Sequence, residues 1–248
     1  MRVLLLGGTT EASALAHALA NRGVSAVFSY AGRTGAPIAQ PLPTRVGGFG
    51  GVDGLVDWLE AENITHIVDA THPFAAQMSQ NALTASAITN VPLLVLERPA
   101  WVAEPGDTWQ HVPSTEAAVD ALPDRPTRVF LAIGKQTLPL FATKPQHHYL
   151  LRLVDAPDAP LPLPDAQPVI ARGPFTEADD LKLLSDHQIK VIIAKNAGGS
   201  GAEAKLKAAR FLQIPVILID RPVLPMRHVV GTITEVLEWL GHPARLGV

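Results

Sequence analysis

The sequence predicts an α/β protein of two Rossmann-like domains with mainly parallel sheets and an active-site cleft between them. Three observations predict it. Short apolar runs recur along the 248 residues, at 3–6, 26–28, 66–70, 93–96, 129–133, 149–154, 169–171, 191–194 and 216–219. Nearly all are Val, Ile and Leu without alternation, as in parallel strands buried on both faces. Helix-forming segments separate many of them, and that alternation builds α/β architecture. Polar clusters follow seven of the runs, beyond the strand C-terminal ends, where such sheets bind ligands.

The elements follow in order. Run 3–6 enters "GGTTE", and 10–22 is expected to be helical: Ala12, Leu15, Ala16 and Leu19 share a face, and Gly23 follows the end. Segments 176–187 and 201–212 have the same character, and a last helix is expected near 234–240. The stretch "RPAWVAEPGDTWQHVPS" (98–114) breaks the pattern and is taken as the crossover between domains. It divides the chain into residues 1–113 and 114–248, with the last helix able to pack back on the first domain. "DAPDAPLPLPDAQP" (155–168) is too proline-dense for a helix or central strand and is expected to be an ordered excursion in the second domain.

Composition narrows the function. A hydrophobic fraction of 47% with 17% charged residues describes a globular chain. A net charge of -3 does not suggest broad affinity for nucleic acid or an anionic membrane. Without cysteine there is no disulfide framework, thiolate nucleophile or cysteine-held metal, and a reducing cytosol suits the chain. The apolar start of "MRVLLLGGTTEA" is too short for a signal-peptide core or membrane span, so a cytoplasmic protein is expected. His-Glu-x-x-His and G-x-S-x-G are absent, and His147 and His148 would lie on opposite faces of a strand, so no metal site is expected.

The first glycine loop, Gly7-Gly8-Thr9-Thr10-Glu11, occupies the place of a mononucleotide-binding βα turn. Glycines admit a pyrophosphate close to the backbone, and a helix N-terminus starting near Thr10 offers N–H groups and a positive dipole end. About 20 residues on, dinucleotide folds read the adenosine ribose, with an acid for a 2′-hydroxyl or an arginine for a 2′-phosphate. "SYAGRT" supplies Ser29, Gly32, Arg33 and Thr34 and no acid, which favours NADPH over NADH. "DATHPFA" brings Thr71 and His72 to the end of run 66–70, with Pro73 expected in the first turn of the next helix. His72 is a candidate proton donor near the nicotinamide; a pocket wall or a helix anchor are its other readings.

The second glycine stretch, "KNAGGSGAEAK", lacks the phosphate-loop grammar, since Gly201 is followed by Ala202 and Glu203. Lys195, Asn196, Gly198, Gly199 and Ser200 nevertheless form a good anion site ahead of a helix. Lys135, Arg172 and Arg221 end other runs of the same half. Four cations there suit a ligand bearing several carboxylates, although each singly could serve a surface ion pair. Trp58, Trp101, Trp109 and Trp239 are most simply packing residues; lining a cleft is a second reading for Trp101 and Trp109, which lie in the crossover.

Taken together, "LLLGGTTEASALA", "SYAGRT", "DATHPFA", "ERPAW", "AIGKQTL", "RGPF" and "AKNAGGSGAEAKLKAARFLQIPVILIDRP" resemble, in that order, the precorrin-6A reductases of cobalamin biosynthesis. The resemblance covers nearly the whole chain. It departs at Ala197, where a serine is more usual, and fades after Pro222. It implies NADPH-dependent reduction of one double bond in the precorrin-6A macrocycle, a polycarboxylate, to precorrin-6B. It also implies two α/β domains with the site between them and, as partners, a small-molecule macrocycle with transient hand-over to neighbouring pathway enzymes. His72 is then the first candidate acid and Lys195 a more distant one. A cobalt-bearing macrocycle, another polycarboxylate substrate, or a non-catalytic NADP(H) sensor remain as alternatives at this point.

Overall fold

The computed structural model describes residues 1–32, 38–157 and 159–241. It is an α/β structure of two compact units, one formed by Met1–Pro99 with Val223–Val248 and the other by Ala100–Pro222.

The first unit runs β1 (Val3–Leu6), α1 (Thr10–Asn21), β2 (Ala26–Tyr30), β3 (Thr44–Val46), α2 (Gly51–Ala61), β4 (His66–Asp69), α3 (Ala76–Thr89) and β5 (Leu93–Leu96). The second runs β6 (Trp109–Val112), α4 (Thr115–Asp120), β7 (Arg128–Ala132), a 3-10 turn (Lys135–Thr143), β8 (His148–Leu153), β9 (Ala166–Ile170), α5 (Glu177–Asp186), β10 (Val191–Lys195), a 3-10 turn (Ser200–Ala202), α6 (Ala204–Phe211) and β11 (Val216–Ile219). The chain then returns to the first unit as β12 (Val229–Val230) and α7 (Ile233–Gly241).

Each unit holds a six-stranded sheet, ordered β3-β2-β1-β4-β5-β12 and β9-β8-β7-β10-β11-β6. All neighbouring strands pair in parallel. The order of the first is that of the dinucleotide-binding fold, and the second repeats it, except that its sixth place is filled from the start of the unit. Strand order therefore reverses twice, between β1 and β4 and between β7 and β10. Ligands of open α/β sheets bind beyond strand ends at such points.

The cores explain the runs. Val3, Leu5, Phe28 and Val68 pack with Ala12, Leu15, Ala16 and Leu19 of α1 and with Val236 and Leu240 of α7. Leu4, Leu6 and Ile67 fill the other face against α2 and α3. Phe130, Ile192, Ala194, Val216 and Leu218 form the second unit's core with Leu184 and Leu206. Complete burial of one such Leu or Phe stabilises by about 1.5–3 kcal/mol.

Several expectations shift. The structure divides at 99/100 and again at 222/223, not at 113/114, because Trp109–Val112 pairs with β11 as an edge strand of the second sheet. The crossover is therefore shorter than 98–114. The excursion at 155–168 ends inside β9, where Pro168 is tolerated because the strand is an edge. Pro73 lies in a turn, Ala75 N–H donating to the His72 carbonyl at 2.7 Å, and α3 begins only at Ala76. Among the described residues no helix is long and apolar enough to cross a membrane.

Candidate active site

At the first reversal, β1 and β4 run side by side with Leu6 opposite Asp69, so 7–9 and 70–72 leave the sheet together. Gly7 is dictated by packing: a Cβ there would stand 2.1 Å from the Phe28 ring. Gly8 has φ +124° and open space where a Cβ would point, a backbone that a pyrophosphate can approach. Thr9 caps α1, its Oγ1 accepting from Ala12 N–H at 3.1 Å and donating to the Ala70 carbonyl at 2.8 Å. One hydroxyl thus ties both strand ends to the helix start. Thr10 and Glu11 open α1, so their N–H groups have no intrahelical acceptor. The Glu11 carboxylate pairs with Arg98 at 2.6 Å. It anchors the turn to Arg98.

Asp69 is buried and organises the next loop, accepting from Thr71 N–H (3.0 Å), Thr71 Oγ1 (2.7 Å) and Ser79 Oγ (2.6 Å). The half-buried His72 accepts from Phe74 N–H at Nδ1, 3.2 Å away. A neutral ring so held carries its hydrogen on Nε2.

One strand outward, Ser29 is buried at the end of β2, and its Oγ accepts from Arg45 Nη1 at 2.9 Å. Gly32 has φ +75° and lies against Gly47. Arg33 and Thr34 lie outside the described residues.

At the second reversal, Ala132 of β7 stands opposite Ala194 of β10. Beyond them come the exposed Lys135 and the half-buried Lys195. Asn196 is buried; its Oδ1 accepts from Trp101 N–H (2.8 Å) and its Nδ2 donates to the Trp101 carbonyl (3.2 Å). The Trp101 indole donates to the Gly199 carbonyl at 2.9 Å, and Lys205 Nζ lies 4.6 Å from the ring centre. Gly198 and Gly199 both have positive φ. Arg221 donates to the carbonyls of Asn196 (3.0 Å) and Ala197 (3.1 Å). The exposed Arg172 sits 3.8 Å from Asp155, and Lys135 Nζ 3.5 Å from the Ala156 carbonyl. A shaped backbone loop flanked by cations can hold carboxylates.

The family model described as "Precorrin-6x reductase CbiJ/CobK" matches residues 2–241. This chain belongs to that family. A protein named precorrin-6A reductase from Rhodobacter capsulatus is 64% identical over 239 residues, covering 96% of this chain and 95% of that one. A solved structure titled "CobK precorrin-6A reductase" matches with TM-score 0.94 and 63% identity over 99% of both chains. A protein named cobalt-precorrin-6A reductase from Priestia megaterium is 29% identical over 98% of this chain and 99% of its own.

In this member of the CbiJ/CobK family, the expected residues fall into two groups. Gly7, Gly8, Thr9, Thr71 and His72 gather at the first reversal. Lys135, Lys195, Asn196, Gly198, Gly199, Ser200 and Arg221 gather at the second, with Arg172 two strands outward. The side chains of Glu11, Asn196 and Arg221 are engaged by the protein itself. Arg45 is a site-shaping residue that no motif of the sequence marks, and Trp101, a candidate cleft residue from its place in the crossover, instead fixes the 196–199 loop. A cavity of about 960 Å³ opens at the N-terminal ends of the second sheet's strands, among Trp109, Arg125, Arg128, His148 and Lys190, and among the described residues none of the expected site residues lines it.

Proposed function

We propose that this chain reduces one double bond of precorrin-6A to precorrin-6B with NADPH, in the cytoplasm, as a step of cobalamin biosynthesis. The observation that carries this reading is a glycine-bearing turn at one sheet reversal and a cation-flanked glycine loop at the other, in a chain of the CbiJ/CobK family. The name of the 64% identical relative favours a metal-free macrocycle over the cobalt-bearing one.

NADPH, when bound, supplies the hydride. The chain's own residues bind, orient and handle the proton. Gly8 and the N–H groups opening α1 fit a pyrophosphate, Thr9 keeps that turn against Ala70, and Ser29 and Gly32 stand where the adenosine ribose is expected; Arg33 and Thr34 are assigned to the same ribose from sequence position alone. His72 holds a proton at Nε2, the only ring position left to donate it once Nδ1 accepts from Phe74. Lys135, Arg172 and Lys195, with the 196–200 loop and Arg221 behind it, hold the macrocycle's carboxylates. Hand-over of the product to a neighbouring pathway enzyme belongs to the same reading.

Anaerobic incubation of the purified chain with precorrin-6A and either NADPH or NADH tests it, following cofactor oxidation and product mass. Gain of two hydrogens with NADPH strongly preferred is expected. Binding of NADPH without turnover would redirect the reading to the cobalt-bearing substrate, and failure there to a sensor.

A further inference from the structure

Arg45 stands on β3 directly opposite Ser29 of β2. The end of β2 is where dinucleotide folds place the adenosine ribose. The loop leaving β2 leans on the same spot, since a Cβ on Gly32 would lie 3.5 Å from Gly47.

The guanidinium is held before any ligand arrives. Nη1 donates to Ser29 Oγ and to the Gly47 carbonyl, both at 2.9 Å, and Nη2 donates to the Gly48 carbonyl at 3.0 Å. The group lies 3.7 Å over the Phe49 ring centre and 5.6 Å from that of Trp58. Three of its five hydrogens are used. The Nε hydrogen and one on Nη2 have no acceptor among the described residues.

Arg2, Arg98, Arg152, Arg210 and Arg227 each pair with a carboxylate, and Arg45 pairs with none among the described residues. Burial pulls its pKa below the ordinary arginine value. A half-buried cation with no counterion among the described residues, fixed by neutral partners, is preorganised for an anion.

We propose that Arg45 binds the 2′-phosphate of NADPH and so sets the preference for the phosphorylated cofactor, a role that rests on the cofactor reading above. A phosphate monoester accepts from a guanidinium fork, a geometry that lysine does not reproduce.

Calorimetric titration of the whole chain with 2′,5′-ADP and with 5′-AMP tests this without turnover. Wild type should prefer 2′,5′-ADP. Arg45→Met should weaken 2′,5′-ADP by about 100-fold and 5′-AMP by less than about 3-fold, with Arg45→Lys in between. Retained 5′-AMP binding shows that the fold survives; if Arg45→Met does not fold, the ratio measured for Arg45→Lys decides. Parallel loss of both ligands, or no change in either, would mean that Arg45 only props the 47–49 loop, and would overturn the proposal while the cofactor reading stands. Equal binding of both ligands by wild type would instead remove the NADPH reading and this proposal with it.

Discussion

Asn196 holds Trp101 by both of its backbone polar groups, accepting from the N–H at 2.8 Å and donating to the carbonyl at 3.2 Å. An amide side chain thus acts as a piece of neighbouring strand. The indole of the same Trp101 then donates to Gly199, so the shape of the glycine loop depends on a contact 95 residues away in sequence.

Asn196→Ala should therefore cost stability. It leaves two buried backbone groups of Trp101 unpaired, worth about 2–4 kcal/mol together. Scanning calorimetry should show Tm lowered by roughly 5–10 °C. An unchanged Tm with weaker substrate binding would instead make Asn196 a ligand contact.

Gly7→Ala should disable the first unit through Phe28 rather than through the cofactor. The new methyl would overlap a ring that is itself completely buried. Overpacking of this kind costs about 1–3 kcal/mol or more. Phe28→Leu, made in the Gly7→Ala background, should recover part of that loss in urea unfolding. Additive losses from the two changes would show that they do not meet.

His72→Asn separates two roles of one ring. The Asn carbonyl can still accept from Phe74 N–H, yet nothing remains at the place of Nε2. If His72 donates the proton, kcat should fall by about 100-fold or more with cofactor affinity unchanged. Near-normal turnover would end the acid role.

His147 should make the protein acid-sensitive. Its ring is fully buried, and among the described residues its nitrogens make no hydrogen bond of normal geometry. Burial, and then the charge of Lys144, push its pKa down against a smaller opposing pull from Asp124 and the Pro123 backbone. The unfolded chain binds this proton below about pH 6.5 and the folded chain resists it. Stability is thus complete above that pH and lost as pH falls from there, by up to about 1.4 kcal/mol per pH unit. His147→Phe should flatten the dependence of urea midpoints between pH 7 and 5. His66, also lowered by burial, keeps a share in that variant. Identical slopes for wild type and His147→Phe would acquit His147.

Lys135→Glu and Arg172→Glu probe the macrocycle's carboxylates from the outside. Both side chains are exposed, so Tm should stay put. KM for precorrin-6A should rise about tenfold or more in each, and less at high salt. Unchanged KM in both would remove these two cations from the site.

How much of this was legible beforehand depended on burial. Central strands such as β1, β10 and β11 are covered on both faces, so their apolar runs stand out and their ends locate both loops. The strands that escaped notice, β3, β6 and β12, are all at sheet edges. Each is only two to four residues long, with one side open, so "TRV", "WQHV" and "VV" carry no continuous apolar signal.

By itself the sequence determined the α/β class, the two glycine loops, the cations around the second, and the family likeness, because these are written in local composition and order. Only the tertiary structure decided what the polar side chains do. Glu11 meets Arg98, Thr9 meets Ala70, Arg45 meets Ser29 and Asn196 meets Trp101. Those partners lie 16 to 95 positions apart, and no periodicity encodes them. They arise when strand order brings distant chain ends to one edge of a sheet, where an unpaired polar group must find a partner or a ligand.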